Sequence, residues 1–196
     1  MSHLKTLSII VPTPDGGRLD LLADSVRKRL YPGDELIVVG DTTDGPLPEV
    51  QAFVENQPQW RYIDGESTEH SWGHREINRG IQEARGDYLV FQDDDDIFAS
   101  DAIVNIHRAI RRVDPPVPHL FRFRAARFGG KPIWQEEGRV EEGWIGGHCI
   151  VTPNVPEKTG TWTDRYEGDF DFISETLRLW EPLKPIWRKE VIALAR

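Results

Sequence analysis

A chain of 196 residues with 38% hydrophobic and 29% charged side chains has enough apolar material for one globular core, which excludes a disordered or fibrous protein. Its 33 acidic against 24 basic side chains give a net charge of -9, which counts against a dedicated binder of nucleic acid or anionic membranes. The lone Cys149 excludes an internal disulfide, and no apolar run approaches the roughly 20 residues of a membrane span, so a cytoplasmic single domain is expected over residues 1–196.

The opening segment has one lysine and a short apolar run, and it reads as a first strand rather than a secretory signal. That strand runs from Thr6 to Val11 and is ended by Pro12 and Pro14. Leu19, Leu22, Val26 and Leu30 recur at helical spacing, and Glu35 to Val39 forms the second strand. A short helix over Val50 to Asn56, a strand over Trp60 to Ile63 and a helix over Glu76 to Ala84 follow, the last stopped by Gly86. Tyr88 to Phe91 is a fourth strand running into four aspartates, and Asp101 to Val113 is helical until Pro115 and Pro116. Strand and helix in alternation predict an α/β fold with a mostly parallel central sheet and helices on both faces, with ligands at the carboxyl ends of strands.

Beyond about residue 115 the rhythm changes, so about 1–115 is expected to bind a nucleotide-type ligand and about 116–196 to shape the rest of the pocket. His119 to Phe128 alternates as a half-exposed strand, Gly146 to Thr152 reads as another, and Asp169 to Trp180 as a helix. The tail from Pro182 is ambiguous between strand and helix.

The strongest local feature is the run Asp93 to Asp96 directly after the buried strand Tyr88-Leu-Val-Phe91. Adjacent carboxylates repel unless a cation or donor hydrogen bonds offset the repulsion. Alternate residues of an extended chain point the same way, so Asp93 and Asp95 are expected to share one ligand while Asp94 faces elsewhere. Such oxygen ligands suit Mg2+ or Mn2+ bridging to a diphosphate. The plainer reading is a solvated acidic turn with an aspartate capping the helix near Asp101.

LSIIVPTP, then ELIVVGDTTDG, then INRGIQEARGDYLVFQDDDD, resembles family-2 glycosyltransferases of the GT-A fold. The resemblance is good over about residues 5 to 100 and weaker beyond. It implies a UDP-sugar donor, with Pro12, Thr13 and Pro14 near the uracil and Asp41 on the uridine. It also implies Asp93 and Asp94 beside the nucleotide sugar, Asp93 and Asp95 on Mn2+ or Mg2+, and Asn78 in the family's Asn-x-Gly. Tyr166-Glu-Gly-Asp-Phe resembles the family's Glu-Asp-aromatic segment, which makes Asp169 the general base and Glu167 the fallback; a helix cap is the plainer role for Asp169.

Several residues depart from the family's pattern. Gly40 stands where the first of two aspartates is usual, and Gly168 stands where Glu is usual. The family's arginine before Asn78 is absent, which leaves Arg75 or His74 to reach the diphosphate. His148 is a third metal ligand, a donor to the diphosphate or a structural histidine. Of the seven tryptophans, Trp144 in its glycine-rich stretch is the one expected near an acceptor. Seven basic residues from Arg108 to Lys131 against Asp114 alone read as an exposed face with arginines paired to acids, or as a surface for an anionic acceptor. The leading expectation is therefore a metal-dependent, inverting transferase that moves a sugar from a UDP-sugar to an acceptor hydroxyl. The acceptor would be a protein, a small molecule or, less favoured, a nucleic acid. The alternatives are a nucleotidyltransferase and a degenerate sugar-nucleotide-binding module that lacks a base.

Overall fold

Strand β1 (Leu7–Thr13) is buried at every position, as a central parallel strand covered on both faces must be. The computed structural model describes residues 4–26, 29–66, 68–126, 129–134 and 136–196, so Arg127 and the predicted strand end at Phe128 lie outside the described residues. β2 (Glu35–Gly40) and β4 (Tyr88–Phe91) flank β1 in parallel, and β3 (Trp60–Asp64) extends the same side. The helices between them are α1 (Leu19–Val26), α2 (Pro48–Glu55) and α3 (His74–Glu83).

Beyond β4 come β5 (Ile97–Phe98), α4 (Ala102–Ile110), β6 (His119–Ala125), β7 (Pro132–Ile133) and β8 (Ile150–Pro153). Helix α5 (Gly168–Leu179) and strand β9 (Ile186–Ala195) complete the chain. Among the described residues the strands form one nine-stranded sheet in the order β3-β2-β1-β4-β8-β6-β9-β5, with β7 on β6. β8 enters antiparallel between β4 and β6, whereas β6 and β9 run parallel.

The period of two sorts the strands onto two cores. Leu7, Ile9, Val11, Leu36, Val38 and Val90 face α1, α2 and α4, whereas Ile10, Ile37, Val39, Leu89 and Phe91 face α3 and α5. On the first face a polar contact is buried: Asp34 accepts hydrogen bonds from Leu7 N at 2.9 Å, Tyr31 N at 2.8 Å and His107 Nε2 at 2.9 Å.

The ambiguous tail is β9, and it reaches back so that Arg196 N donates to Asp96 Oδ1 at 2.9 Å. Strands β5 and β7, of two residues each, are too short to leave a periodic signal. The predicted strand at Gly146 begins instead with a 3-10 turn over Gly147–Cys149, which lifts His148 off the sheet. In the basic stretch, Arg122 lies over the Trp134 ring at 4.5 Å and Arg108 donates to Asn105 Oδ1, so neither of these contacts is to an acid. Among the described residues, no helix is long and apolar enough to cross a membrane.

The chain leaves β1 toward β2 and β3 and crosses back to β4 on the other side of β1. Ligands bind outside the carboxyl ends of the strands at such a switch point. Thr13 and the aspartates that follow Phe91 stand there.

Candidate active site

A cavity of about 720 Å³ opens at this switch point, a volume typical of a small-ligand site. Asp93, Asp95, Asp96 and His148 line one side, and Trp72, His74, Tyr166, Glu167 and Asp169 line another. After β4 the backbone turns at Asp94 and Asp95, with Asp96 N bonded to Asp93 O at 3.3 Å. The turn brings Asp93 and Asp96 together. His148 Nε2 lies 2.9 Å from Asp96 Oδ2 and 3.5 Å from Asp93 Oδ2.

One ligand atom from each of Asp93, Asp96 and His148 falls within 4.8 Å of the others, close enough to hold one metal ion. His148 Nε2 is buried and, despite its nearness to Asp96, makes no hydrogen bond of acceptable alignment. Two carboxylates and a buried imidazole nitrogen without a hydrogen-bond partner fit a divalent ion such as Mn2+, for which mixed oxygen and nitrogen ligands are ordinary. The three carboxyls press on one another. Removal from water pushes the Asp93 carboxyl up, and Asp96 and Asp95 push it further against the pull of His148. For His148, burial lowers its proton affinity, but Asp93, Asp96 and Asp169 outweigh that and raise it.

Asp169 enters from the first turn of α5, where Phe170 N donates to its Oδ1 at 2.7 Å. Burial holds its carboxyl above the usual carboxylate range, against the opposing effects of Phe170 N–H, His74, Gly147 N–H and His148. A carboxylate with raised proton affinity is a better proton acceptor. Glu167 lines the same cavity but accepts from Arg165 Nη2 at 3.2 Å.

His74 Nδ1 lies 2.6 Å from Thr163 O, so that nitrogen carries a hydrogen. The ring fills the space beside Gly168, where an added Cβ would come within 2.5 Å of His74 Nδ1. The glycine at the position of the family's usual Glu thus has a local cause.

At the mouth stand two exposed aromatics, Trp72 and Tyr166, in edge-to-face contact with ring centroids 5.4 Å apart. Trp72 adopts a left-handed backbone with φ 59, and Gly73 follows with φ 79 in the turn closed by His74 N to Ser71 O. A left-handed conformation costs a bulky residue about 1–2 kcal/mol, so the turn needs Gly73 but not a tryptophan.

The model of glycosyl transferase family 2 matches residues 8–157 of this chain. The chain belongs to glycosyl transferase family 2. A Sinorhizobium fredii protein, y4gI, is 32% identical over 183 residues that cover 85% of this chain and 20% of that protein. Staphylococcal TarS (S. aureus, residues 1–349) superposes with a TM-score of 0.75 at 15% identity, over 97% of this chain and 60% of that one. Its complex with UDP-GlcNAc gives 0.74 at 15% identity, over 97% of this chain and 58% of that one. The Pyrobaculum calidifontis mannosyltransferase PcManGT, in complex with GDP-Man and Mn2+, gives 0.67 at 18% identity, over 98% and 57%. The fold is that of GT-A glycosyltransferases, and the chain spans about a fifth of the length of its curated relative.

Against this family frame, the predicted residues separate by geometry. Asp93, His148 and Asp169 share the cavity. Asp95 lines it too but stands outside the three-ligand group, where Asp96 takes its place. The expected extended run is a turn, so the carboxylates that meet are three residues apart rather than two. Asp94 does face elsewhere: its carboxylate accepts a hydrogen bond from Thr13 Oγ1, and its backbone carbonyl accepts from Arg18 N at 3.1 Å. It braces the loop after β1, and burial pushes its carboxyl up to about 6 despite the Thr13 bond.

Pro12 and Thr13 are buried and Pro14 is exposed at the end of β1. Asp41 is tied to the same edge, its N bonded to Thr13 O at 2.7 Å and its Oδ2 2.7 Å from His70 Nδ1. Burial alone would raise the Asp41 carboxyl, but bonds from Thr43 and His70 hold it below the ordinary range. Arg75 donates from Nη2 to Asp164 at 2.8 Å and to Glu69 at 3.3 Å, outside the cavity lining, whereas His74 is inside it. Asn78 exchanges two hydrogen bonds with the Trp162 backbone, which consumes its amide in fixing that loop. Trp144 lies under the Arg139 guanidinium at 3.8 Å, and Trp72 and Tyr166 hold the mouth instead. The signals for the missed residues were present: a fourth aspartate one turn beyond Asp93, and a Trp-Gly pair immediately before a helix.

Proposed function

We propose that this domain transfers a sugar from a UDP-sugar to an acceptor hydroxyl with inversion at the anomeric carbon. The observation that carries the reading is the placement of Asp169 on one cavity with the Asp93–Asp96–His148 group. Bound there, Mn2+ or Mg2+ supplies neutralising charge for the departing diphosphate. Asp93, Asp96 and His148 would hold that ion, with Asp95 adding negative charge at the rim.

Asp169 orients the acceptor hydroxyl and takes its proton. The acceptor oxygen bonds to the anomeric carbon as the carbon–oxygen bond to the β-phosphate breaks, and that electron pair leaves with UDP. Direct displacement inverts the centre and needs no covalent intermediate. His74 meets the diphosphate in place of the family's arginine, since Arg75 is held by Asp164 and Glu69. Asp41, Thr13 and Pro14 receive the uridine at the end of β1, so residues 1–115 hold the donor and 116–196 supply most of the acceptor side.

Support for the donor class comes from two solved relatives of the same fold, one described with UDP-GlcNAc and one with GDP-Man and Mn2+. The test is UDP release from UDP-GlcNAc and UDP-glucose with Mn2+, assayed with and without EDTA. Release that depends on the metal and is lost in Asp169→Asn supports the reading. No release from any UDP-sugar, together with no thermal shift by UDP and Mn2+, overturns it.

A further inference from the structure

The Trp72–Tyr166 pair is unexplained by the packing of the fold. Trp72 is 69% exposed and Tyr166 64% exposed, yet both border the cavity. They come from loops distant in sequence, before α3 and before α5 respectively. The loops are clamped together by Arg75 on Asp164, and Arg165 ties the second of them to Glu142. The backbone of Trp72 is held in the left-handed region, a conformation that persists in a bulky residue where the surroundings impose it, commonly at a binding site.

Resting on the glycosyl-transfer reading, we infer that Trp72 and Tyr166 form the platform for a neutral pyranose, so that the acceptor is itself a carbohydrate. An aromatic face suits the apolar C–H face of a sugar ring, and the flanking carboxylates of Glu142 and Glu167 accept its hydroxyls. The ring stacked there borders the same cavity as Asp169, which needs a hydroxyl to deprotonate. Glu69, Glu142, Asp164 and Glu167 outnumber Arg75, Arg165 and the cavity-lining Arg196, so a phosphate-bearing or uronic acceptor is repelled.

Two measurements test this. Saturation-transfer NMR with di-N-acetylchitobiose and cellobiose, in the presence of UDP and Mn2+, reads the contact without turnover. Ring protons of these sugars receive saturation from the native protein and lose most of it in Trp72→Asn, a variant that tolerates the left-handed backbone and removes only an exposed ring. In steady-state assays, Trp72→Asn and Tyr166→Ala each raise the acceptor KM about ten-fold with kcat changed far less. Methyl β-glucuronide and a single-stranded oligonucleotide serve as anionic comparisons and stimulate UDP release less than the neutral sugars. Equal saturation transfer to native and Trp72→Asn, an unchanged KM, or preference for an anionic acceptor overturns the platform. Saturation transfer that depends on Trp72 in a protein that releases no UDP leaves the platform standing and strikes the transferase reading instead.

Discussion

Two histidine–aspartate pairs, His107 with Asp34 and His148 with Asp96, close at the same 2.9 Å and are buried to almost the same degree. What separates them is satisfaction. The Asp34 carboxylate receives two backbone N–H groups besides the imidazole, so the pair is complete and ties β1 to α4. The His148 nitrogen faces two carboxylates without an aligned hydrogen bond, beside a cavity. A complete buried network lowers the energy of the fold, whereas an incomplete one is retained where a ligand finishes it. Distance and burial alone would have treated the two alike.

The largest expected effect sharpens that contrast at the base. Asp169→Asn lowers transfer by about 10²–10⁴-fold, read as acceptor-dependent UDP release. In the native protein kcat/KM falls as pH drops through the raised proton affinity of Asp169, so the acidic limb lies above the ordinary aspartate value of about 3.9. A rate that stays flat down to pH 4 removes Asp169 from the role of base.

Next in size, Asp34→Ala strips three donors of their acceptor and lowers unfolding free energy by about 3–5 kcal/mol in urea titration, while any response to Mn2+ persists in the folded fraction. Asp96→Asn behaves oppositely. It keeps an Oδ1 acceptor for Arg196 N and removes one of several crowded charges. Its metal-free stability therefore stays within about 1 kcal/mol of native, and the rise in melting temperature produced by Mn2+ disappears. An Asp96→Asn protein that unfolds as readily as Asp34→Ala would erase the distinction between the two pairs.

The smallest effect concerns Asp94. With its carboxyl at about 6 in the folded chain, above the unfolded value, the native state holds this proton more tightly. Its contribution to stability therefore declines as pH rises toward 6 and is lowest at neutral pH. Asp94→Asn keeps an acceptor for Thr13 and raises the melting temperature at pH 7 by a few degrees (about 1–4 °C), an advantage that shrinks at pH 4. No gain at pH 7 means that the charge is already offset in the free protein.

The parallel half of the sheet was legible because its strands are continuous apolar runs that need no partner information: LSIIV, ELIVV and YLVF announce themselves. The second half was less so. β9 alternates charged and apolar residues irregularly because β6 bulges against it, and its place beside β6 is set by contacts far away in sequence. At the site, the residue types were readable and the geometry was not. Asp93 and Asp169 stood out by position, but an aspartate run carries no mark of where it turns, so which of its carboxylates meet was not readable. Arg75 and Asn78 looked available because their partners, Asp164 and the Trp162 backbone, lie more than 80 residues further along.

The fit of His74 against Gly168 joins two positions into one unit of inheritance. Any side chain at 168 collides with the imidazole and with the Thr163 backbone carbonyl alike, each 2.5 Å from an added Cβ, so the unit extends to a third, backbone partner. Opening position 74 alone therefore does not admit the family's usual Glu at 168, because the Thr163 carbonyl stays in place and the base-bearing helix is still displaced. His74→Ala with Gly168→Glu should be no better tolerated than Gly168→Glu alone, so the glycine outlasts changes at position 74.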